Sequence, residues 1–118
     1  VRPEIVQGMN GLLARNERLV CWFEHPLYGV YAMVLVGAAI VGNIATVWHG
    51  LMAPHGRRIQ QWDYDKQARP SLPQGAEMGH FQLGSTVVVL MPGNAWRFRP
   101  AWTTGRPVRL GQAMADRR

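Results

Sequence analysis

Residues 30–47, VYAMVLVGAAIVGNIATV, run for eighteen positions without a charged side chain, and this stretch most constrains the fold. A run of that length is long enough to raise the question of a membrane-spanning helix. Its make-up argues for strands instead. It is rich in β-branched residues, is broken by Gly37 and Gly42, and carries Asn43 and Thr46, a pattern that predicts two strands with a bend between them. Residues 19–23 form a short apolar run ending at Glu24-His25-Pro26, where proline disfavours continuation, so a strand and then a loop are expected. Residues 86–91, TVVVLM, give the strongest strand pattern, bounded by Gly84 before and Pro92-Gly93-Asn94 after. Approximate alternation predicts a further strand over 59–65, and a last strand is expected over 108–114. Residues 66–75, with Pro70, Pro73 and Gly75, read as a loop, and only 3–16 suggests a short helix. With thirteen glycines, eight prolines and no sustained helical period, the expected fold is mainly β. It is a small sandwich or barrel of short antiparallel strands with little helix.

The length of 118 residues suits a single domain over 1–118. With 47% hydrophobic and 17% charged residues, the chain has enough apolar surface to bury and too little charge for disorder. The lone Cys21 excludes an internal disulfide and a cysteine-rich zinc site, and suits a reducing compartment. The formal charge of +6 is concentrated at the end of the chain. From Trp96 onward, Arg97, Arg99, Arg106, Arg109, Arg117 and Arg118 face Asp116 alone. Interleaved with Trp96, Phe98 and Trp102, this stripe has the chemistry to meet lipid phosphates, or it is simply a solvated surface. No nucleic-acid partner is expected, because no recognition helix, aromatic ribonucleoprotein motif or zinc module accompanies the charge.

The common catalytic signatures are missing: no nucleophile elbow, phosphate-cradling loop, dinucleotide-binding glycine pattern or HExxH. His25, His49, His55 and His80 fall at no metal-ligand spacing, so no metal is expected. Asp63 and Asp65 flank Tyr64 on one face of the expected strand, where a solvated edge is the simpler reading than an acid/base pair. There remains GAEMGHFQLGST at residues 75–86, which leads directly into TVVVL. By composition alone, Gly-Ser-Thr at a strand entrance is an ordinary turn.

The run GAEMGHFQLGSTVVVL, with RNERLVCWF upstream and LVGAAIVGNIATVWHG between, resembles the C-terminal half of the bacterial phosphatidylserine decarboxylase proenzymes. The similarity spans about residues 12–91 and resumes weakly over 108–115, with three blocks in the right order. Glu77, Met78, Gly79 and Thr86 support the motif around the LGST core. The resemblance implies a chain that cleaves itself between Gly84 and Ser85. Ser85 would be the nucleophile and Gly84 would supply the attacked carbonyl. A glycine there leaves the carbonyl open and permits unusual backbone angles. Residues 1–84 would end the β-chain and 85–118 would form the α-chain, headed by a covalent pyruvoyl group derived from Ser85. That ketone would form a Schiff base with phosphatidylserine and accept electrons as carbon dioxide leaves, giving phosphatidylethanolamine.

The same resemblance implies several partners. An upstream β-chain segment would supply an Asp and a His as base for the serine hydroxyl, since none of the four histidines lies in a matching Tyr-His-Arg type motif. His80 is merely the nearest in sequence to Ser85. A homodimer and a peripheral position on the cytoplasmic face of a membrane are also implied, with no transmembrane helix in this chain. The chain is then expected to be a C-terminal portion, with Val1 in mid-protein. The stretch WRFRPAWTTGRP departs from the family pattern, so its arginines are not assigned to lipid by resemblance. The alternative function is a truncated, catalytically inert β domain, lipid-binding or carrier-like, lacking the upstream base.

Overall fold

The computed structural model describes residues 17–27, 29–37, 43–52, 61–64, 69–84 and 86–118. These form eight strands, and no helix occurs among the described residues. In order they are β1 (Arg18–His25), β2 (Gly29–Val36), β3 (Ile44–Thr46), β4 (Gly50–Leu51), β5 (Gly79–Phe81), β6 (Thr86–Leu90), β7 (Trp96–Phe98) and β8 (Ala115–Arg117). They make three small sheets, ordered β1-β2-β6, β4-β3-β5 and β7-β8, and no closed barrel. The mainly β expectation holds. Contacts group the chain into two compact units, Val1–Leu19 with Leu35–Val87, and Val20–Val34 with Val88–Arg118.

In the first unit β3 is the centre, with β4 and β5 antiparallel on its two sides. Flanked on both edges, it is buried throughout: Ile44 is fully enclosed, and Asn43, Ala45, Thr46 and Met52 are buried with it. This explains why an apolar run with one polar residue at each end of β3 serves as a short core strand rather than a span. After Thr46 the chain turns back through residues 47–49. It re-enters at Gly50, whose φ of +87° is left-handed backbone that suits glycine. The Met52 N–H closes the return on the Ile44 carbonyl at 2.8 Å.

β1 alternates as a half-buried strand should. Cys21 points inward and Arg18, Val20, Trp22 and Glu24 point outward. Burial pushes the Cys21 thiol pKa up to about 11. Only residues 26–28 separate β1 from its neighbour β2, a connection so short that the two strands run antiparallel. His25 Nδ1 accepts the Leu27 N–H at 3.1 Å in that turn, and Phe23 and Tyr31 stack with centroids 5.3 Å apart. β7 pairs with β8 through Trp96–Arg117, Arg97–Asp116 and Phe98–Ala115.

Some expectations change. Residues 108–114 are not a strand: Gly111 has a φ of +86°, the Gln112 N–H reaches the Arg109 carbonyl and the Gln112 side chain accepts the Arg109 N–H. That turn delays the last strand to β8. Residues 61–64 are irregular rather than extended in a sheet, with the Gln61 amide drawn onto the Asp63 carboxylate at 3.3 Å. The rest of the expected 59–65 strand lies outside the described residues, as does the suggested helix over 3–16. The two strands expected within 30–47 are β2 and β3, and residues 86–90 are β6. Among the described residues no helix is long and apolar enough to cross a membrane.

Candidate active site

The segment 78–83 lies along β3. Register pairs Thr46 with Gly79, Ala45 with His80 and Ile44 with Phe81. Backbone bonds extend this ladder at both ends: Val47 N–H donates to Met78 at 2.9 Å, and Gln82 N–H to Asn43 at 2.8 Å. One residue further, a side chain replaces the strand. Asn43 Nδ2 donates to the Leu83 carbonyl at 3.0 Å, while its Oδ1 accepts the Leu83 N–H at 2.5 Å. A planar amide offers a donor and an acceptor side by side, so it holds a backbone residue as a neighbouring strand would. Asn43 is 2% exposed, and without these bonds its buried amide would cost about 1–3 kcal/mol. The Leu83 side chain is 50% exposed, so its backbone bonds, not its burial, fix this residue.

The two glycines of the motif do different work. A Cβ on Gly79 would run into the Ala45 carbonyl oxygen and lie 3.1 Å from Thr46 Cα. Only glycine lets β5 approach β3 this closely. A Cβ on Gly84 would meet nothing within 4 Å, and Gly84 does not adopt a left-handed φ. What its lack of a side chain offers is a clear approach to its carbonyl carbon. Ser85 lies outside the described residues. Thr86, the next residue, is half-buried and opens β6, which pairs with β2.

Glu77 and His80 are both exposed, with His80 Nδ1 3.7 Å from Glu77 Oε1. The Met78 carbonyl is used in the ladder to Val47. His49 meets the Trp62 ring edge-on at 5.0 Å; His55 and Asp65 lie outside the described residues. No group of three or more potential metal ligands occurs among the described residues. Asn43 is the residue that sequence reasoning missed. Its signal in the sequence is a polar side chain set between Gly42 and Ile44 in an apolar run.

Several arginines of the basic stripe bind their own chain. Arg99 forks onto Asp116, with Nη2 to Oδ1 at 3.0 Å and Nε to Oδ2 at 3.2 Å. Arg106 caps the Ala101 carbonyl at 2.8 Å, and Arg118 the Trp96 carbonyl at 2.9 Å. The indole of Trp102 donates to Ala113 at 3.1 Å. These bonds order the loop between β7 and β8 and engage part of the charge that the sequence left open for phosphate.

Comparison with known proteins bears on the same residues. The family model described as phosphatidylserine decarboxylase matches residues 1–116. A phosphatidylserine decarboxylase proenzyme of Acidovorax ebreus is 56% identical over 119 residues, which cover 99% of this chain and 41% of that protein. Proenzymes of the same description from Nitrosospira multiformis and Polaromonas sp. are 51% and 50% identical, again over 99% and 98% of this chain. The chain spans 41% and 42% of those two relatives, well under half their length. No solved structure matches it.

Proposed function

The chain belongs to the phosphatidylserine decarboxylase family, and from that premise we propose that it is the self-cleaving portion of a pyruvoyl-dependent decarboxylase that converts phosphatidylserine to phosphatidylethanolamine. The relatives are named proenzymes, which fits a precursor that must be cut. The observation that carries the reading is the separate anchoring of the chain on the two sides of Gly84-Ser85. Leu83 is held by Asn43 beside β3, and Thr86 is held in β6 beside β2. Neither anchor depends on the bond between Gly84 and Ser85, so Leu83 and Thr86 can keep their partners when it breaks.

The chemistry follows from the residue types. Ser85 Oγ attacks the Gly84 carbonyl carbon; the C–N bond breaks, an ester forms and the Ser85 amine is freed. Loss of the Ser85 Cα proton then expels the Gly84 carboxylate and leaves dehydroalanine, whose imine tautomer takes up water and releases ammonia. A serine hydroxyl of ordinary acidity needs a base. In this reading the base is an Asp and His pair from an upstream β-chain segment. The local structure fits the resulting group: open space around Gly84 lets water and substrate in, and β6 holds the backbone that bears it. When present, a pyruvoyl ketone supplies an electron sink for loss of carbon dioxide from an amino-acid head group. In this reading Leu83, held by Asn43, and Thr86, held in β6, anchor the described residues on the two sides of the cut. The protein would act at the cytoplasmic membrane face as a peripheral homodimer. Arg97 and Arg109, which have no side-chain partner among the described residues, are its free cations toward lipid.

Intact mass of the purified full-length protein tests this. Self-cleavage yields two fragments divided between positions 84 and 85, the smaller lighter by one ammonia than a serine-initiated peptide and blocked to Edman sequencing. Ser85→Ala should give one uncut species with an unchanged circular dichroism spectrum. Cleavage of that variant at the wild-type rate would overturn the role of Ser85, and a wild type that stays whole would overturn the assignment in favour of an inert domain.

A further inference from the structure

We infer that Asn43 is a positioning residue for self-cleavage, acting through the backbone of Leu83 rather than by touching the reacting atoms. The inference rests on the proposed cut between Gly84 and Ser85. Asn43 is buried to 2% exposure, and both ends of its amide are spent on Leu83, with Nδ2 on the carbonyl and Oδ1 on the N–H. Its own carbonyl takes the Gln82 N–H at 2.8 Å. One residue thus ends the β3–β5 ladder and also fixes the next peptide beyond it.

The Leu83 carbonyl belongs to the planar peptide that also contains the Gly84 nitrogen. With that plane held, only the φ and ψ of Gly84 separate it from the carbonyl to be attacked. Apart from its two chain neighbours, nothing lies within 4 Å of a Cβ built on Gly84, so no packing against its Cα side holds those rotations. Leu83 cannot do the restricting through its side chain, which is half exposed. The Asn43 fork is therefore the last restraint before the reacting bond on the β-chain side. Intramolecular attack depends steeply on approach geometry, and a misplacement of about 1 Å can cost on the order of a hundredfold in rate.

The alternatives to asparagine sharpen the claim. Alanine removes both bonds. Aspartate keeps the acceptor for the Leu83 N–H, but its carboxylate faces the Leu83 carbonyl, oxygen against oxygen. Protonation restores a donor there, so an acid-form aspartate reproduces the fork.

The test measures self-cleavage of the full-length protein by intact mass after rapid purification, in wild type, Asn43→Ala and Asn43→Asp, with each substitution also made in the uncut Ser85→Ala background for thermal unfolding. Asn43→Ala is expected to slow cleavage about a hundredfold while the uncut form still unfolds cooperatively. The Asn43→Asp rate, divided by that of wild type, should rise as pH falls, whereas the same ratio for Asn43→Ala stays flat. A merely structural role would not produce that acid rescue. Wild-type-like cleavage by Asn43→Ala overturns the inference, and so does an Asn43→Asp ratio that does not move with pH. Should Asn43→Ala fail to fold, the pH response of Asn43→Asp decides alone. If wild type is not cut between positions 84 and 85, it is the functional reading that fails, a different result from an uncoupled Asn43.

Discussion

β3 with β5 and β7 with β8 are both antiparallel pairs of three-residue strands, yet different forces hold them. β3 is buried along its whole length, its neighbour β5 comes close enough to exclude a Cβ at Gly79, and the end of the ladder is fixed by a buried amide. In β7 and β8 only the first residue of each strand is half-buried, and the pair is tied by arginines to a carboxylate and to carbonyls at the surface. The motif therefore rests on packing and sterics, which salt does not screen, and the tail on charge-assisted bonds, which it does.

The largest effect should come from the centre of the first pair. Ile44→Ala removes a fully enclosed side chain, and loss of transfer energy plus the cavity should cost about 2–5 kcal/mol by urea unfolding of the uncut Ser85→Ala protein. A cost below that of an ordinary surface substitution would mean that β3 is not the core of its unit. Gly79→Ala probes the same pair by overfilling. Its methyl would collide with backbone rather than with a flexible side chain, so β5 must move, at about 1–3 kcal/mol. Because β5 leads into Leu83, self-cleavage should slow as well, and a stable Gly79→Ala protein cleaving normally would contradict the observed approach of β5 to β3.

Cys21 asks whether burial also governs β1. Its thiol pKa is raised from 9.0 to about 11 by desolvation, so the fold favours the neutral thiol. The resulting stabilisation is fully present below pH 9 and is lost as pH rises through about 11. The stability of wild type relative to Cys21→Ala should hold steady up to pH 9 and decline above it. Iodoacetamide should label Cys21 slowly at neutral pH in the native protein and readily once urea unfolds it.

The same contrast explains what could be read from the sequence. β1, β2, β3 and β6 were legible because β-branched runs and flanking turn residues are local signals, and the LGST motif was legible by resemblance. β5 was not, because GHF has no strand pattern of its own; it is a strand only because Gly79 can lie against Ala45, a contact made across more than thirty positions of chain. Residues 108–114 looked extended through Val108 and Leu110, but the left-handed Gly111 and the Arg109–Gln112 bonds turn them. Asn43 was visible as an anomaly and not as a site, since its partner Leu83 is forty residues away.

The smallest effect belongs to the β7–β8 pair. Arg99 meets Asp116 with near-bidentate geometry, at 3.0 and 3.2 Å, but about half of each side chain stays in water. Exposed pairs of this kind are typically worth about 0.2–1 kcal/mol. Arg99→Gln should therefore shift stability by no more than that, and the shift should shrink further in about 1 M salt, where charges are screened within a few ångströms. The Ile44→Ala penalty should not shrink under the same conditions, because it has no ionic component. If salt erased both penalties equally, the two strand pairs would be held by the same force. If Arg99→Gln cost several kcal/mol and salt left that cost unchanged, the tail would have to be a packed element whose arginines fill space rather than carry charge.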